Sequence, residues 1–405
     1  MATTNTQGDP SQRSTGLPQL GPGLLLTPDF PPQMGGIARY LYNVYAQFDL
    51  QNIQLITPEC DGSVEFDKSH EYEARRYTAL ASPSGIRGAW QFCQTYRRAS
   101  RTLAADVHKI LHCGHIHSAM VAYHLKRRYG TRYLVWTHAL EVMDNWLSPA
   151  VKVTLLNADL VITNSEFTRT FILSLGVHPE RIRKVCPGAD FERFHPDVCP
   201  LDLRERLGIP SGRMLLTLGT VSKAHRYKGQ DVVIRALPDI LKAVPDLIYV
   251  IGGGGLDTPY LQNLANLTGV ARHVKILGPV READVPRLYA SSEVFILNSR
   301  EERTRRGTLA EGFGIVLLEA SSAGKPVIGG KSGGIPDAVQ DGVTGILVDP
   351  RDLASVAAAI VHLFTSPEQA RSMGALGRQW VKEQMNWIRA AAAFADALKQ
   401  SSLSD

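Results

Sequence analysis

Two carboxylates, Glu311 and Glu319, stand eight residues apart in the run EGFGIVLLE. Gly312 and Gly314 put the first in a turn, and the apolar residues after them carry the second into a helix. Eight residues are a little over two helical turns, so both carboxylates can face one cleft from different depths. Glycine lets backbone approach a ligand closely, and a helix start offers unpaired N–H groups to an anion. A ligand with both hydroxyls and phosphate suits that combination. The plainer alternative is two ordinary helix glutamates, one capping and one solvated.

Cations occur where such a ligand would need them. The apolar run Met214–Gly219 reads as a buried strand, followed by Lys223, Arg226 and Lys228 before Gly229. Three cationic side chains past the C-terminal end of a strand suit a diphosphate. A second strand, Leu247–Ile251, runs into four glycines, Gly252–Gly255. Nearer the N-terminus, Gly35 and Gly36 separate a short strand from a helix with apolar residues at Ile37, Tyr40, Leu41, Val44 and Tyr45. That is either a phosphate cradle or a tight connection. The strand Arg132–Thr137 delivers His138 at its C-terminal end, where open α/β sheets place ligand groups. His115 and His117 share a side if that stretch is extended. No carboxylate clusters with them, so they suggest a loop near the cleft and not a metal site.

These residues need a scaffold, and 405 residues exceed what one core usually serves, so two domains are expected. No run of 18 or more apolar residues is present. Residues 1–20 are polar, lack the apolar core of a signal peptide, and read as a disordered tail. The five cysteines form no C-x-x-C pair, which points away from zinc and disulfides and towards a reducing cytoplasm. The net charge of +5 is small, and nucleic acid is not expected as a partner. The charge is unevenly placed, however. From Tyr72 to Arg132 there are eleven basic residues against Glu73 and Asp106, an excess that can attract an anionic membrane. Within it, Gly85–Arg101 reads as a basic amphipathic helix in which Ile86, Ala89, Trp90, Cys93, Tyr96 and Arg97 can share one face while Arg87, Arg98 and Arg101 lie elsewhere, with Trp90 either in the core or at a membrane surface. Leu353, Val356, Ala357, Ile360 and Leu363 form a helical stripe that reads as core.

The run EGFGIVLLEASSAGKPVIGGKSGGIPDAV resembles the signature of retaining glycosyltransferases of family 4, which have the GT-B fold. The resemblance continues in FPPQMGGIARYL, in Thr137-His138-Ala139-Leu140-Glu141, in the Lys-Gly pair Lys228–Gly229, and in most of residues 23–400. The stretch Arg300–Leu309, with Arg303, Arg305 and Arg306, is similar to an insertion in the phosphatidylinositol mannosyltransferase branch. The resemblance implies α/β architecture: two doubly wound Rossmann-like domains facing a cleft. Residues 21–195 would form the acceptor side and 196–380 the nucleotide-sugar side, with 381–405 crossing back to the first domain.

It also implies roles. Glu319 would hold the ribose, Lys228 would neutralise the diphosphate, and Glu311 would bind sugar hydroxyls. Backbone around Gly312, Phe313, Gly314, Ile315 and Val316 would serve sugar and phosphate. Gly253 and Val280 would lie beside the nucleotide, Gly35 and Gly36 would close from the other side, and His138 would contact the sugar near the reacting carbon. Family members carry arginine where this chain has Lys223, so either Lys223 or Arg226 could complete the diphosphate clamp. The implied activity is transfer of a hexose, in this branch mannose from GDP-mannose, to a lipid-linked or glycan acceptor. It would proceed with retention and no cofactor or obligatory metal, in the cytoplasm or peripherally on the inner membrane face. Alternatives are a UDP-sugar-dependent transferase, a phosphorylase-like or nucleotide-sugar hydrolase activity, and a non-catalytic nucleotide-sugar-binding module.

Overall fold

A computed structural model of the chain describes residues 20–405 apart from 34, 49–51, 71–73, 79–84, 106–108, 144–147, 200–201, 306, 402 and 404–405. Residues 1–19 of the expected N-terminal tail and Arg306 therefore lie outside the described residues, while Leu20 is buried. The chain divides into two compact units. Unit 1 comprises residues up to Asn164, Arg169–Val185 and Trp387 onward; unit 2 comprises Ser165–Thr168 and Cys186–Asn386. The division falls at 185/186 and not 195/196, and the return at 386/387 and not 380/381. Cys186-Pro187-Gly188 thus opens unit 2 instead of closing unit 1.

Unit 1 is built on a seven-stranded parallel sheet in the order β3-β2-β1-β4-β5-β6-β7. The strands are β1 (Gly23–Leu26), β2 (Ile53–Glu59), β3 (Ala74–Thr78), β4 (Ile110–Cys113), β5 (Tyr133–Thr137), β6 (Leu160–Thr163) and β7 (Ile182–Lys184). β1, β5 and β6 are buried along their whole length, as expected of parallel strands covered on both faces. The last helix, Trp387–Lys399, belongs to this unit. It inserts Phe394 against Trp136 and Tyr45, with ring centroids 4.8 and 5.6 Å apart.

Unit 2 carries a six-stranded parallel sheet in the order β10-β9-β8-β11-β14-β15. Its strands are β8 (Arg213–Leu218), β9 (Leu247–Gly252), β10 (Val274–Gly278), β11 (Val294–Leu297), β14 (Val327–Gly330) and β15 (Gly345–Val348). A separate antiparallel hairpin pairs β12 (Glu302–Arg303) with β13 (Thr308–Leu309). Hydrophobic clusters cover the sheet. The strand order reverses direction between β8 and β11, so the β8 and β11 carboxyl ends mark the switch point where such sheets bind ligands.

Three expectations change. The stretch after β4 is not extended: His115 caps the helix Ile116–Tyr129, and His117 lies in its first turn, although their rings still stack at 4.7 Å. Leu353 is 40 % exposed while Val356, Ala357, Ile360 and Leu363 are buried, because it stands at the first position of its helix, before the stripe meets the core. In the helix Gly85–Ala105, Tyr96, Ala99 and Leu103 face the core. Trp90 is 36 % exposed and shares an outward stripe with Cys93, Arg97 and Arg101. Trp90 and Arg97 therefore share one exposed face as expected, but Arg101 joins them and Tyr96 does not. Part of the basic excess is consumed internally: Arg76 is fixed by Asp67 at 2.7 Å, and Lys126 by Asp159 at 2.6 Å.

Candidate active site

In unit 2 the chain leaves β8 into a 3-10 turn, Lys223–Lys228, which ends on Gly229 in the left-handed region. A Cβ at residue 229 would fall inside the carbonyl oxygen of Asn298, at the end of β11. Only glycine lets this turn reach the switch point. The turn brings Lys228 Nζ to 2.6 Å from Glu311 Oε2, with side-chain exposures of 14 % and 17 %. Burial alone pushes the ammonium towards neutrality, but the charge of Glu311 outweighs it and holds the Lys228 pKa well above its ordinary value. The group is a fixed cation.

The candidate clamp resolves unevenly. Arg226 donates two bonds to Asp257, at 2.6 and 2.7 Å, and lies 3.6 Å from the Tyr260 ring centroid. Its guanidinium is engaged with these neighbours. Lys223 is exposed, and among the described residues no hydrogen bond or ion pair of its side chain is found. It remains the available second cation.

Glu311 sits two residues past the hairpin, and Glu319 lies in the helix Ile315–Ser322 with Gly314 as its left-handed N-cap. Glu319 is 2 % exposed. It accepts a 2.8 Å hydrogen bond from the Tyr289 hydroxyl, which also reaches the Val316 carbonyl at 3.2 Å. Phe313 is buried in the core, so only its backbone can serve a ligand. Beneath Glu311, Gly334 N–H donates to its carbonyl at 2.9 Å. A Cβ at residue 334 would overlap the Gly312 carbonyl oxygen. The Gly-Gly-Ile-Pro run is thus a backbone brace under the Glu311 turn.

Gly253 has φ +147°, and a Cβ there would overlap the Gly219 carbonyl oxygen. Packing of the β9 turn onto the end of β8 accounts for this glycine without a ligand. Val280 packs beside Gly252. Gly35 differs. It caps the helix Gly36–Tyr45 with extended backbone, and neither it nor Gly36 has an atom within 4 Å of an added Cβ. Fold packing does not require these two glycines.

In unit 1, His138 follows β5 directly. Its Nε2 lies 2.9 Å from the Gly114 carbonyl oxygen, which can only accept, so Nε2 carries the proton and Nδ1 is left as an acceptor. Burial lowers its pKa to about 4 against the opposing pull of Gly114 and Asp29, so the ring is neutral. Glu141 Oε1 accepts from the His138 N–H at 2.6 Å, which pins the turn. Burial pushes the Glu141 pKa up to about 7, and raises Asp29, whose neighbours include His138 and Glu141. Tyr289, Asp257, Tyr260 and Asp29 carry no motif that marks them; a tyrosine 30 residues upstream of its carboxylate leaves no spacing signal. Among the described residues, no group of three or more His, Cys, Asp or Glu side chains is arranged to hold a metal ion.

These groups make acid stability sign-dependent. Burial lowers the pKa of His112 to about 4, as for His138, and that of His115 well below normal. Below pH 6.5 the unfolded chain takes protons that these folded histidines refuse, so stability falls between pH 6.5 and 4. Glu141 acts oppositely: between pH 4.5 and 7 the folded form binds the proton first, so its contribution grows as pH falls. Asp29, also raised by burial, acts in the same sense as Glu141, and the three histidines outweigh the two carboxyls. Unit 1 should lose stability from pH 7 to 5, by roughly 2 kcal/mol for each of His112 and His138 before the carboxyl offset, with His115 acting in the same direction. Glu141→Gln should steepen that loss. Denaturant melts at the two pH values check both, and a shallower slope in the variant would contradict the assignment.

Comparisons with known proteins agree with this layout. A family described as glycosyl transferases group 1 matches residues 203–380, and one described as glycosyltransferase family 4 matches residues 34–193. A protein of Mycolicibacterium smegmatis, named as a GDP-mannose-dependent alpha-(1-6)-phosphatidylinositol monomannoside mannosyltransferase, is 33 % identical over 93 % of this chain and 97 % of its own length. A protein of the same name from Mycobacterium tuberculosis is 34 % identical over the same shares. A Corynebacterium glutamicum protein, named as acting on the monoacylated form, is 30 % identical over 90 % of this chain and 94 % of its own. Among solved structures, Anabaena HepE with UDP superposes with a TM-score of 0.74 at 18 % identity, over 93 % of this chain and 99 % of that one. Sucrose-phosphate synthase from Thermosynechococcus elongatus gives 0.73 at 22 %, over 93 % and 98 %. At that identity the structures speak for the GT-B fold alone.

Proposed function

The chain belongs to glycosyltransferase family 4, and from that premise we propose that it moves mannose from GDP-mannose to a phosphatidylinositol mannoside or a similar lipid-linked acceptor. The observation that carries this reading is likeness of about one third over nearly the full length of relatives named for that reaction. The site supports it. Lys228, with Lys223 as the second cation, neutralises the departing diphosphate; Glu311 and the backbone at Gly314–Val316 take sugar hydroxyls and phosphate; Glu319, oriented by Tyr289, holds the ribose. His138 offers Nδ1 as an acceptor to a sugar hydroxyl. Fixed charge at the leaving group does the electrostatic work, so we propose transfer without an obligatory metal and with retention at the sugar carbon.

A thermal-shift screen against GDP, UDP and ADP and their common sugars tests the donor, since a ligand bound only by the folded state raises apparent stability. GDP and GDP-mannose should shift the melt and the others should not, followed by radiolabelled mannose transfer to phosphatidylinositol mannoside. A shift with UDP-sugars alone would keep the family and overturn the donor. No shift with any nucleotide would favour a binding role of another kind.

No helix among the described residues is long and apolar enough to cross a membrane. We propose that the acceptor is met at an anionic membrane surface, through the Trp90–Arg97–Arg101 stripe. Trp90→Ala with Arg97→Gln and Arg101→Gln should cut sedimentation with phosphatidylglycerol vesicles at low salt and leave nucleotide shifts intact. Equal sedimentation of the variant would remove the membrane element.

A further inference from the structure

The β12–β13 hairpin is rooted on both loops that carry the donor-site charges. Arg300 N–H donates to the Tyr227 carbonyl at 2.8 Å, one residue before Lys228. Its guanidinium is held by Asp231 at 2.9 Å and Glu302 at 2.7 Å, itself only 12 % exposed. Glu301 Oε1 accepts from Gly333 N–H at 3.3 Å, in the brace beneath Glu311, and Arg351 donates to the Glu301 carbonyl. At the far end the turn closes on itself: Thr304 N–H reaches the Gly307 carbonyl at 2.7 Å, and Gly307 N–H reaches Thr304 Oγ1 at 3.0 Å.

This fastening sorts the charges. Both glutamates of the segment are used at the root. Arg303 and Arg305 are exposed, and among the described residues neither side chain has a hydrogen bond or ion pair. Two cations thus stand on a closed turn whose chain rejoins the site at Glu311, four residues from Gly307. Four residues reach at most about 14 Å, so the tip cannot be remote from the sugar-binding carboxylate. In the function proposed above, the donor's diphosphate has its own cations in Lys228 and Lys223. An anion within reach of the tip therefore belongs to the other substrate. Arginine's planar fork matches phosphate oxygens two at a time.

We propose that Arg303 and Arg305 bind the phosphate of the sugar acceptor, which makes the hairpin the element selecting phosphate-bearing headgroups. The proposal deepens the function given above and rests on it for the identity of the transfer. In an acceptor whose reacting hydroxyl lies on a ring esterified to phosphate, that phosphate follows the hydroxyl to within one or two rings of the transferred sugar. Docking it on a fixed turn orients the hydroxyl and discriminates against neutral sugars.

The test is equilibrium binding of myo-inositol 1-phosphate and of myo-inositol to the full chain, saturated with GDP, for the unaltered protein and for Arg303→Gln/Arg305→Gln. The unaltered protein should prefer the phosphate ester. The double variant should lose about tenfold or more of that affinity while its GDP thermal shift stays the same. Equal affinity of both proteins for the ester overturns the proposal, as does absence of any phosphate preference in the unaltered protein. Weakened binding to phosphatidylglycerol vesicles with unchanged ester binding also overturns it, since the arginines would then serve the membrane surface. In turnover, the variant should raise KM for the phospholipid acceptor and leave KM for GDP-mannose alone; an equal rise for both would mean a structural role and sink the idea. If the protein fails to transfer mannose but binds the ester through these arginines, the donor reading falls and the phosphate site stands.

Discussion

If Lys228 has the proposed role, Lys228→Met should lower kcat for sugar transfer by about 10²–10³-fold, the cost of deleting one fixed charge aimed at a leaving group. The ammonium is buried against Glu311 at 2.6 Å, and its pKa is held up, so it is charged at any working pH. It needs no reorganisation when negative charge develops on the diphosphate. The substitution has a second consequence, because Glu311 is left with little solvent and no counter-charge. Breaking one side of a buried pair costs several kcal/mol in a dry interior, and about 2 kcal/mol is expected at this partly wetted one. Lys228→Met combined with Glu311→Gln separates the effects. Removing both charges should recover most of the stability, while turnover stays lost. Measured melts and kcat values for the three proteins decide it; recovery of activity in the double variant would show that Lys228 acts only as the partner of Glu311. Lys228→Arg should rescue poorly, since a larger planar guanidinium must replace an ammonium held 2.6 Å from Glu311 with both side chains largely enclosed.

Much of the candidate site's local layout was legible in the sequence because its parts obey local rules. Two carboxylates at a fixed separation across a glycine turn, a lysine before a glycine and a histidine at the end of an apolar strand are all short-range patterns. The structure puts Lys228 and Glu311 together, and it places His138 at the end of β5 as expected. What could not be read were choices made by partners far away in the chain. Arg226 and Lys223 are equivalent in sequence; Asp257 and Tyr260, some thirty residues on, engage one and leave the other exposed. Tyr289 became the partner of Glu319 only through packing of its helix on the sheet. Trp90 could face either way from its periodicity, and the core took Tyr96 instead. The compact units divide ten residues before the expected boundary for a similar reason: Cys186–His195 reads in sequence with the first unit, yet Ala189 and Phe194 pack in a core of the second.

The glycines divide in a way the sequence could not show, and that division gives the largest stability effect expected. Gly253→Ala should destabilise unit 2 by about 3 kcal/mol or more, through two additive costs. The residue sits at φ +147°, a conformation that a side chain holds only at a cost of about 1–3 kcal/mol. The new methyl would also meet the Gly219 carbonyl, with no flexible side chain to move aside. The clash lies between the ends of β8 and β9, so relief requires the β9 turn to lift away from the strand that leads to Lys228. Nucleotide affinity should therefore fall together with stability. Gly35→Ala is the control. Its backbone is extended and nothing lies within 4 Å of an added Cβ, so stability should change by less than about 0.5 kcal/mol. If Gly35 is glycine because a ligand's phosphate or sugar approaches its backbone, the same variant should raise KM with its melt unchanged. Chemical denaturation and donor titration of the two variants read both quantities. A Gly35→Ala protein that melts normally and keeps its KM would mean that the Gly35–Gly36 loop is only a connection between strand and helix.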